Sequence, residues 1–250
     1  MKKRLHAFAA IIALLLLTTI YSCTKESTTN SASNTGKGGS ESRFTIAGNY
    51  LYAVTNHYLY AYDLGKPDNP ELVYTSPLNF DIETIYPYNR YLFLGTKTGV
   101  YVYSIDTASS PRLIGVSQHG RSCDPVVVND TVAFVTLKST GNCGPATPGL
   151  YIHNIEDVTN PVLKTTIPLQ DPAGLGLQDS ILYVCCGSAG MKIFNVKKPY
   201  TPVLIGTKTD DNYFDVIPYN GILICSVKSG IILYNISDPS MPVLLKQLNN

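Results

Sequence analysis

The segment Tyr234-Asn235-Ile236-Ser237-Asp238-Pro239-Ser240-Met241-Pro242-Val243-Leu244 decides the fold, because its pattern occurs five times in the 250-residue chain. Each copy has an aromatic residue or His, then Asp, Asn or Ser, then an apolar residue. Pro follows eight residues after the first position, and Leu follows two residues later. The other four copies begin at Tyr62, Tyr103, His153 and Phe194. Recurrence of this kind predicts a repeat architecture.

The spacing of the repeats indicates the type of fold. Their prolines are Pro70, Pro111, Pro161, Pro202 and Pro242, separated by 41, 50, 41 and 40 residues. Between them lie short runs rich in Tyr, Val and Ile, such as residues 91–95 and 222–227, which are typical of strands. We predict an all-β protein, a β-propeller of five four-stranded blades from repeats of about 41 residues. A solenoid is the alternative.

The sequence allows two arrangements of the strands within the blades. Residues 44–47 either form the innermost strand of the first blade or complete the fifth blade. We expect the first arrangement, because apolar runs such as residues 84–86 and 126–128 suit a crowded axis, whereas the Pro-Val-Leu segments suit the outside. Gly99, Gly190 and Gly230 are expected in hairpin turns that require a positive φ.

The repeats resemble a known family. The segments from Asn195-Val196 through Pro202-Val203-Leu204-Ile205-Gly206 and from Asn235 through Leu244 are similar to the LVIVD repeat of bacterial cell-surface propeller proteins. The resemblance covers all five repeats and departs in the first, where Leu64-Gly65-Lys66-Pro67 replaces the usual turn. It implies a propeller and a location in the cell envelope. It implies no reaction and no catalytic residues.

Residues 1–22 are predicted to be a lipoprotein signal peptide. Met1 is followed by Lys2, Lys3 and Arg4, and then by an apolar run up to Ile20. The run is shorter than the about 20 apolar residues of a membrane span, so a retained helix is the less favoured alternative. Ile20-Tyr21-Ser22-Cys23 resembles the lipobox of bacterial lipoproteins, which implies that Cys23 is lipidated and becomes the first residue.

Residues 23–43 are predicted to be the lipidated Cys and a flexible tether, and residues 44–250 the propeller. Fourteen of the 20 residues from Thr24 to Arg43 are Ser, Thr, Asn or Gly, a composition that cannot form a core. The expected location is the cell envelope, with a lipid anchor. No Asp follows Cys23 directly, and this resembles the sorting pattern of enterobacterial lipoproteins, which implies the outer membrane. The side of the membrane is left open.

The charge of the chain excludes two classes of partner. Removal of residues 1–22 changes the formal net charge from +1 to −2, and no basic cluster remains. We therefore expect neither nucleic-acid binding nor electrostatic docking to anionic lipid.

Loops that lead from one blade to the next meet at one mouth of the central channel, and these loops carry the candidate binding face. Its residues are Asp81, Glu83, His119, Arg121, Asp124, Asp171 and Asp211. Four of the aspartates, one from each of four loops, could bind a cation or a polyol. The alternative is that polar residues simply suit a wet channel mouth. Because no calcium-loop spacing occurs, no metal site and no cofactor are predicted.

Four interpretations concern the Cys, His and Tyr residues. An insertion at residues 139–148 brings Cys143 to the same face as Cys123, and we predict a disulfide between them, as export permits. The other cysteines, Cys185, Cys186 and Cys225, are expected to be buried hydrophobic residues, since no C-x-x-C motif is present. His153 is expected to pack in the core. A stripe of Tyr58, Tyr60 and Tyr62 indicates sheet packing rather than a sugar platform.

No catalytic motif is found, and we predict a non-enzymatic recognition or scaffold module that binds an envelope protein or glycan. One alternative is an enzyme that resembles five-bladed glycoside hydrolases and uses Asp81, Asp124 and Asp211. The other is a permanent subunit of an outer-membrane assembly.

Overall fold

Antiparallel strands account for the regular structure in the computed structural model, which describes residues 38–118, 125–138 and 147–249. The described residues form five sheets of four strands each. Blade 1 contains β1 (Phe44–Ala47), β2 (Tyr50–Val54), β3 (Tyr58–Asp63) and β4 (Glu71–Pro77). Blade 2 contains β5 (Ile82–Tyr88), β6 (Tyr91–Thr96), β7 (Gly99–Ser104) and β8 (Arg112–Gln118). Blade 3 contains β9 (Val126–Asn129), β10 (Val132–Leu137), β11 (Gly149–Asn154) and β12 (Val162–Pro168). Blade 4 contains β13 (Leu175–Gln178), β14 (Ile181–Cys185), β15 (Met191–Asn195) and β16 (Val203–Lys208). Blade 5 contains β17 (Tyr213–Tyr219), β18 (Ile222–Val227), β19 (Gly230–Asn235) and β20 (Val243–Asn249).

Each sheet follows the order of its strands in the chain, with the first strand innermost. The prediction of a five-bladed β-propeller is confirmed. The expected arrangement is confirmed too, because β1 pairs with β2 in blade 1. The Pro-Val-Leu segments lie on the outside, as β20 shows, where all seven residues are exposed.

Apolar clusters hold consecutive blades together. Four clusters lie between blades 1 and 2, 2 and 3, 3 and 4, and 4 and 5. In the last of them, Tyr183 and Ile193 of blade 4 pack against Leu223 and Ile232 of blade 5. Each of blades 2, 3 and 4 therefore uses one sheet face to contact the preceding blade and the other to contact the following blade.

The polar residues of the repeat form local turns. In the last repeat, the Asn235 side-chain oxygen accepts a hydrogen bond from the Ser237 backbone N–H at 2.7 Å. The Asp238 carboxylate accepts one from the Ser240 N–H at 2.9 Å. These two Asx turns reverse the chain between the third and fourth strands. Asn and Asp recur in the repeat because their side-chain oxygens accept hydrogen bonds from the backbone N–H groups of the turn.

Glycine stands at the start of the third strand or directly before it in four of the five blades, at Gly99, Gly149, Gly190 and Gly230. The predicted positive φ is confirmed at Gly190 and Gly230, which have values of 83° and 137°. The prediction is wrong for Gly99, whose φ is not positive. Glycine is needed there because the outer strand passes so close that a Cβ would overlap Ser117.

Substitution of Gly149 tests this close approach. A Cβ at Gly149 would lie 2.5 Å from the Ile167 carbonyl oxygen. We expect Gly149→Ala to lower the free energy of unfolding by about 1 to 3 kcal/mol, as overpacking does, measured by urea denaturation. The matched control is Gly206→Ala, where a Cβ would meet Ile193 at an ordinary 3.4 Å. Equal stability of the two variants would contradict the interpretation.

Candidate functional site

Residues 38–43, which we call the entry segment, lie at the centre of the propeller. The Ser40 hydroxyl donates a hydrogen bond to Asp215 of β17 at 3.0 Å and accepts one from the Leu175 N–H of β13 at 2.7 Å. The backbone oxygens of Ser42 and Arg43 then accept hydrogen bonds from blades 2 and 1. The entry segment therefore contacts four blades, through the inner strands of blades 2, 4 and 5 and through the second strand of blade 1.

Two glycines let the chain approach Asp215. A Cβ at Gly39 or Gly174 would overlap the Asp215 carboxylate, so a larger residue at either position would displace it. Burial raises the pKa of Asp215 to about 6, although hydrogen bonds from the Ser40 side chain and from neighbouring backbone N–H groups act in the opposite direction. The carboxylate is thus partly desolvated and tightly held.

From the sequence, the entry segment is assigned to the flexible tether, residues 23–43. In the structure Gly39 and Ser40 are buried, so the folded unit includes residues from Gly38 onward. Cys23 and residues 1–37 lie outside the described residues, and so do His119, Arg121, Asp124, Cys123 and Cys143. The described part of the chain contains no helix with the length and apolar character of a membrane span.

A cavity of about 380 Å³, which we call the mouth cavity, opens where the inner strands begin. Its charged residues are three acids, Glu41, Asp81 and Glu83, and three bases, Arg43, Lys97 and Lys138. Asn56, Ile82, Thr84, Pro125, Pro172 and Ala173 complete the wall. The entry segment supplies one acid and one base of this set.

Polar partners hold four charged side chains of the mouth cavity, Asp81, Lys97, Lys138 and Arg43. Lys97 Nζ lies 3.0 Å from Asp81 Oδ2, and His57 Nδ1 lies 3.6 Å from the other oxygen of Asp81. Lys138 Nζ lies 3.1 Å from Asp171, which stands beside the cavity. Arg43 donates hydrogen bonds to the Ile82 carbonyl at 2.6 Å and to Asn56 at 2.8 Å. Because these groups hold one another in place, the donors and acceptors of the cavity have defined positions.

Glu41 has the most perturbed carboxyl group in the cavity. Glu41 is solvent-exposed, yet desolvation by the surrounding protein raises the pKa of its carboxyl group to about 7. The nearby charge of Asp215 acts in the same direction. Burial also raises the pKa of Glu83, against the opposing effect of Lys97 and Arg43. The pKa of Glu41 therefore lies near neutral pH.

The predicted ring of carboxylates is only partly assembled among the described residues. Asp81 and Glu83 line the mouth cavity, and Asp171 lies beside it. Asp211 does not line it; its carboxylate instead accepts a hydrogen bond from the Ser229 hydroxyl, which lowers the pKa of Asp211. Within the described ranges, no three His, Cys, Asp or Glu residues are placed to hold a metal ion.

Sequence reasoning missed Glu41, Arg43, Lys97 and Lys138. Lys97 could have been found, because its hairpin lies on the same face as the loop that carries Asp81. Glu41 and Arg43 have only a weak local signal, the pair Gly38-Gly39 within a polar segment.

The remaining cysteines and His153 have structural roles. Cys185, Cys186 and Cys225 are buried, as predicted, and the structure shows all three as free thiols. Burial raises the pKa of Cys186 to about 11 and raises the pKa of the other two thiols as well, so all three are poor nucleophiles at neutral pH. His153 is buried, with Nδ1 3.0 Å from the Ser117 hydroxyl, which confirms its packing role.

Removal of the Ser40 hydroxyl tests the attachment of the entry segment. We expect Ser40→Ala to lower the free energy of unfolding by about 1 to 3 kcal/mol, because the buried Leu175 N–H loses its acceptor. We also expect faster proteolytic cleavage near residues 38–43. The control is Ser42→Ala, since the Ser42 hydroxyl makes no hydrogen bond within the described ranges. If Ser40→Ala behaves like this control, the Ser40 hydroxyl does not hold the segment.

The raised pKa of Glu41 predicts a pH dependence of stability. The folded protein holds this proton more tightly than the unfolded chain does, so ionisation opposes folding as the pH rises from 4.5 to about 7. We expect Glu41→Gln to unfold at a higher temperature than the wild type above pH 7. The difference should shrink below pH 4.5, where both states are protonated.

Thermal unfolding across the pH range provides the measurement, with Glu71→Gln on exposed β4 as the control. A constant difference between Glu41→Gln and the wild type at all pH values would contradict a raised pKa.

Comparison with known proteins identifies the fold. No family model and no curated protein sequence matches the chain. Among solved structures, it is similar to a periplasmic gluconolactonase from Pseudomonas aeruginosa, with 12% identity and a TM-score of 0.61 over 81% of this chain and 68% of that one. It is similar to BamB from Moraxella catarrhalis, with 12% identity and a TM-score of 0.55 over 76% and 53%. Apo AztD from Citrobacter koseri has 11% identity and a TM-score of 0.59 over 85% and 60%.

The chain thus spans between about half and two thirds of the length of these three neighbours. At such low identity the likeness shows the fold alone: the chain is a β-propeller.

Proposed function

We propose that this protein is a lipid-anchored β-propeller of a bacterial cell envelope that recognises a protein or glycan partner and catalyses no reaction. The observation that carries the proposal is the mouth cavity, where three acids and three bases converge from several blades and from the entry segment. Recognition sites commonly sit on loops that a rigid scaffold positions. Here the scaffold is the stacked sheets, and the contacts come from the entry segment, from the loops between blades and from the adjacent strand ends.

The paired charges favour a particular kind of ligand. A simple cation would meet Lys97, and a simple anion would meet Asp81, 3.0 Å away. A ligand that carries both donors and acceptors, such as a glycan or a peptide of mixed charge, would satisfy both groups together. The mouth cavity therefore suits a polar macromolecule better than an ion.

The course of the entry segment supports attachment at the opposite end of the channel. Gly38 lines a second cavity with Pro87 and Pro218, toward the ends of the inner strands, whereas Glu41 and Arg43 line the mouth cavity at their beginnings. A lipidated Cys23 would connect to Gly38 through a short polar segment. The mouth would then face away from the membrane, where a partner could reach it.

Glu41 supports a second candidate, a hydrolase. A carboxyl group with a pKa of about 7 beside another carboxylate is a suitable general acid, and Glu83 lines the same cavity. The residues that sequence reasoning proposed for this role fit less well, because Asp81 is paired with Lys97 and Asp211 lies outside the cavity. A Glu41–Glu83 pair would replace them.

Affinity capture from the native envelope after brief crosslinking tests recognition. We expect a specific partner to be retained by the full chain and lost from Lys97→Glu and from a variant that lacks residues 139–148. In Lys97→Glu, the reversed charge breaks the pairing with Asp81 and removes a donor from the mouth cavity. Mass spectrometry and a glycan panel identify what is bound.

Lys164→Glu is the matched control, because Lys164 is exposed on the outer strand β12. Equal capture by all variants would contradict recognition at the mouth. Hydrolysis of a lactone or glycan by the wild type, but not by Glu41→Gln, would favour the enzyme instead.

A further inference from the structure

The first and last blades each leave one sheet face uncovered by the described residues. Every pair of consecutive blades shares an apolar cluster, but no cluster among the described ranges joins blade 5 to blade 1. Instead, the entry segment occupies the inner end of this junction, through Ser40 and Asp215. The outer parts of the two faces remain open.

Comparison of equivalent positions shows that blade 1 lacks its preceding neighbour. Phe44 begins β1 at the position that Ile85, Val126, Leu175 and Val216 occupy in the other blades. The exposures of these four are 1%, 0%, 0% and 1%, whereas that of Phe44 is 63%. The same face of blade 1 carries Ile46 and the Tyr58, Tyr60 and Tyr62 stripe.

Blade 5 lacks its following neighbour in the same way. Ile231 is 42% exposed, whereas Met191 at the equivalent position of blade 4 is fully buried. Ile222, Ile224 and Leu233 lie on this face, and all three are partly exposed. Their equivalents in blade 4 are buried in the junction with blade 5. The face therefore has the residues of a blade junction without the partner blade.

The chain outside the described ranges offers no suitable cover. Residues 24–37, 119–124 and 139–146 contain no large aliphatic or aromatic side chain except His119. Apolar residues in quantity occur only in the predicted signal peptide. Several exposed apolar side chains that adjoin one another on a sheet face ordinarily mark an interaction site.

We propose that the two faces bind each other between copies of this chain, with blade 5 of one copy packed against blade 1 of the next. The four junctions within the chain support this contact. The open face of blade 5 is equivalent to the face that blade 4 packs against blade 5, and the open face of blade 1 is equivalent to the face of blade 5 in that junction. The contact is head to tail, because two different patches meet. The tyrosines suit such a face, since their rings bury apolar area while their hydroxyls tolerate water.

Sedimentation velocity of the full chain over a wide range of concentrations tests the proposal, with two variants that each block one face. Phe44→Glu places a charge on the face of blade 1, and Ile231→Glu places one on the face of blade 5. We expect the wild type to associate and each variant alone to stop at the monomer. An equimolar mixture should form a dimer, since each variant retains the face that the other has lost.

The control is Leu204→Glu, at a residue that is 51% exposed on outer strand β16, and it should associate like the wild type. Ile46→Glu provides a second variant on the blade 1 face if Phe44→Glu fails to fold. A wild type that stays monomeric at all concentrations would overturn the proposal. Contact between its own two faces, or coverage of them by residues 5–20, would give this result. Association of the wild type without dimer formation in the mixture would also overturn it, because a different surface would then be responsible.

Discussion

Packing of each sheet face against the neighbouring blade is the constraint on which the rest of the structure depends. In blades 3 and 4, every residue of the second strands β10 and β14 is buried. These strands consequently read as continuous apolar runs instead of the alternating pattern of a sheet with one wet face. Strand β18 of blade 5 reads as apolar too, yet its residues alternate between buried and accessible. The composition of β18 is that of an interior blade, and its environment is that of a terminal one.

The parts of the fold that local chemistry determines could be predicted from the sequence. Asn235 and Asp238 each accept a hydrogen bond from a backbone N–H two residues further along the chain. Such turns are visible in a short stretch of sequence, and their recurrence gives the number of blades. The position of β1 at the axis could also be predicted, because its counterparts in other blades are short apolar runs. Gly99 shows the limit of local reasoning, since the contact that requires glycine comes from a strand that is distant in the repeat.

The candidate site could be predicted only in part, because its contacts are long-range. Ser40 and Asp215 are 175 positions apart, and nothing in a polar segment distinguishes a serine that will be buried from one that stays in water. The loop positions of Asp81 and Asp171 were accessible to prediction, but the lysines that pair with them were not included. Asp211 was expected beside them, yet Ser229 of the adjacent hairpin binds its carboxylate instead. Sequence reasoning therefore located the mouth and missed its charge balance.

The charge balance makes the mouth cavity dependent on the entry segment. Glu41 and Arg43 are two of the six charged residues of the cavity. They come shortly after Ser40 in the chain, so the hydrogen bonds of Ser40 to Asp215 and Leu175 hold them in position. If the entry segment left the channel, Glu83 would lose the neighbouring charge of Arg43, which helps to keep it ionised. A ligand that needs this arrangement of donors and acceptors can bind only while the segment is in place. The same six residues of backbone thus hold four blades together and complete the polar surface at the mouth.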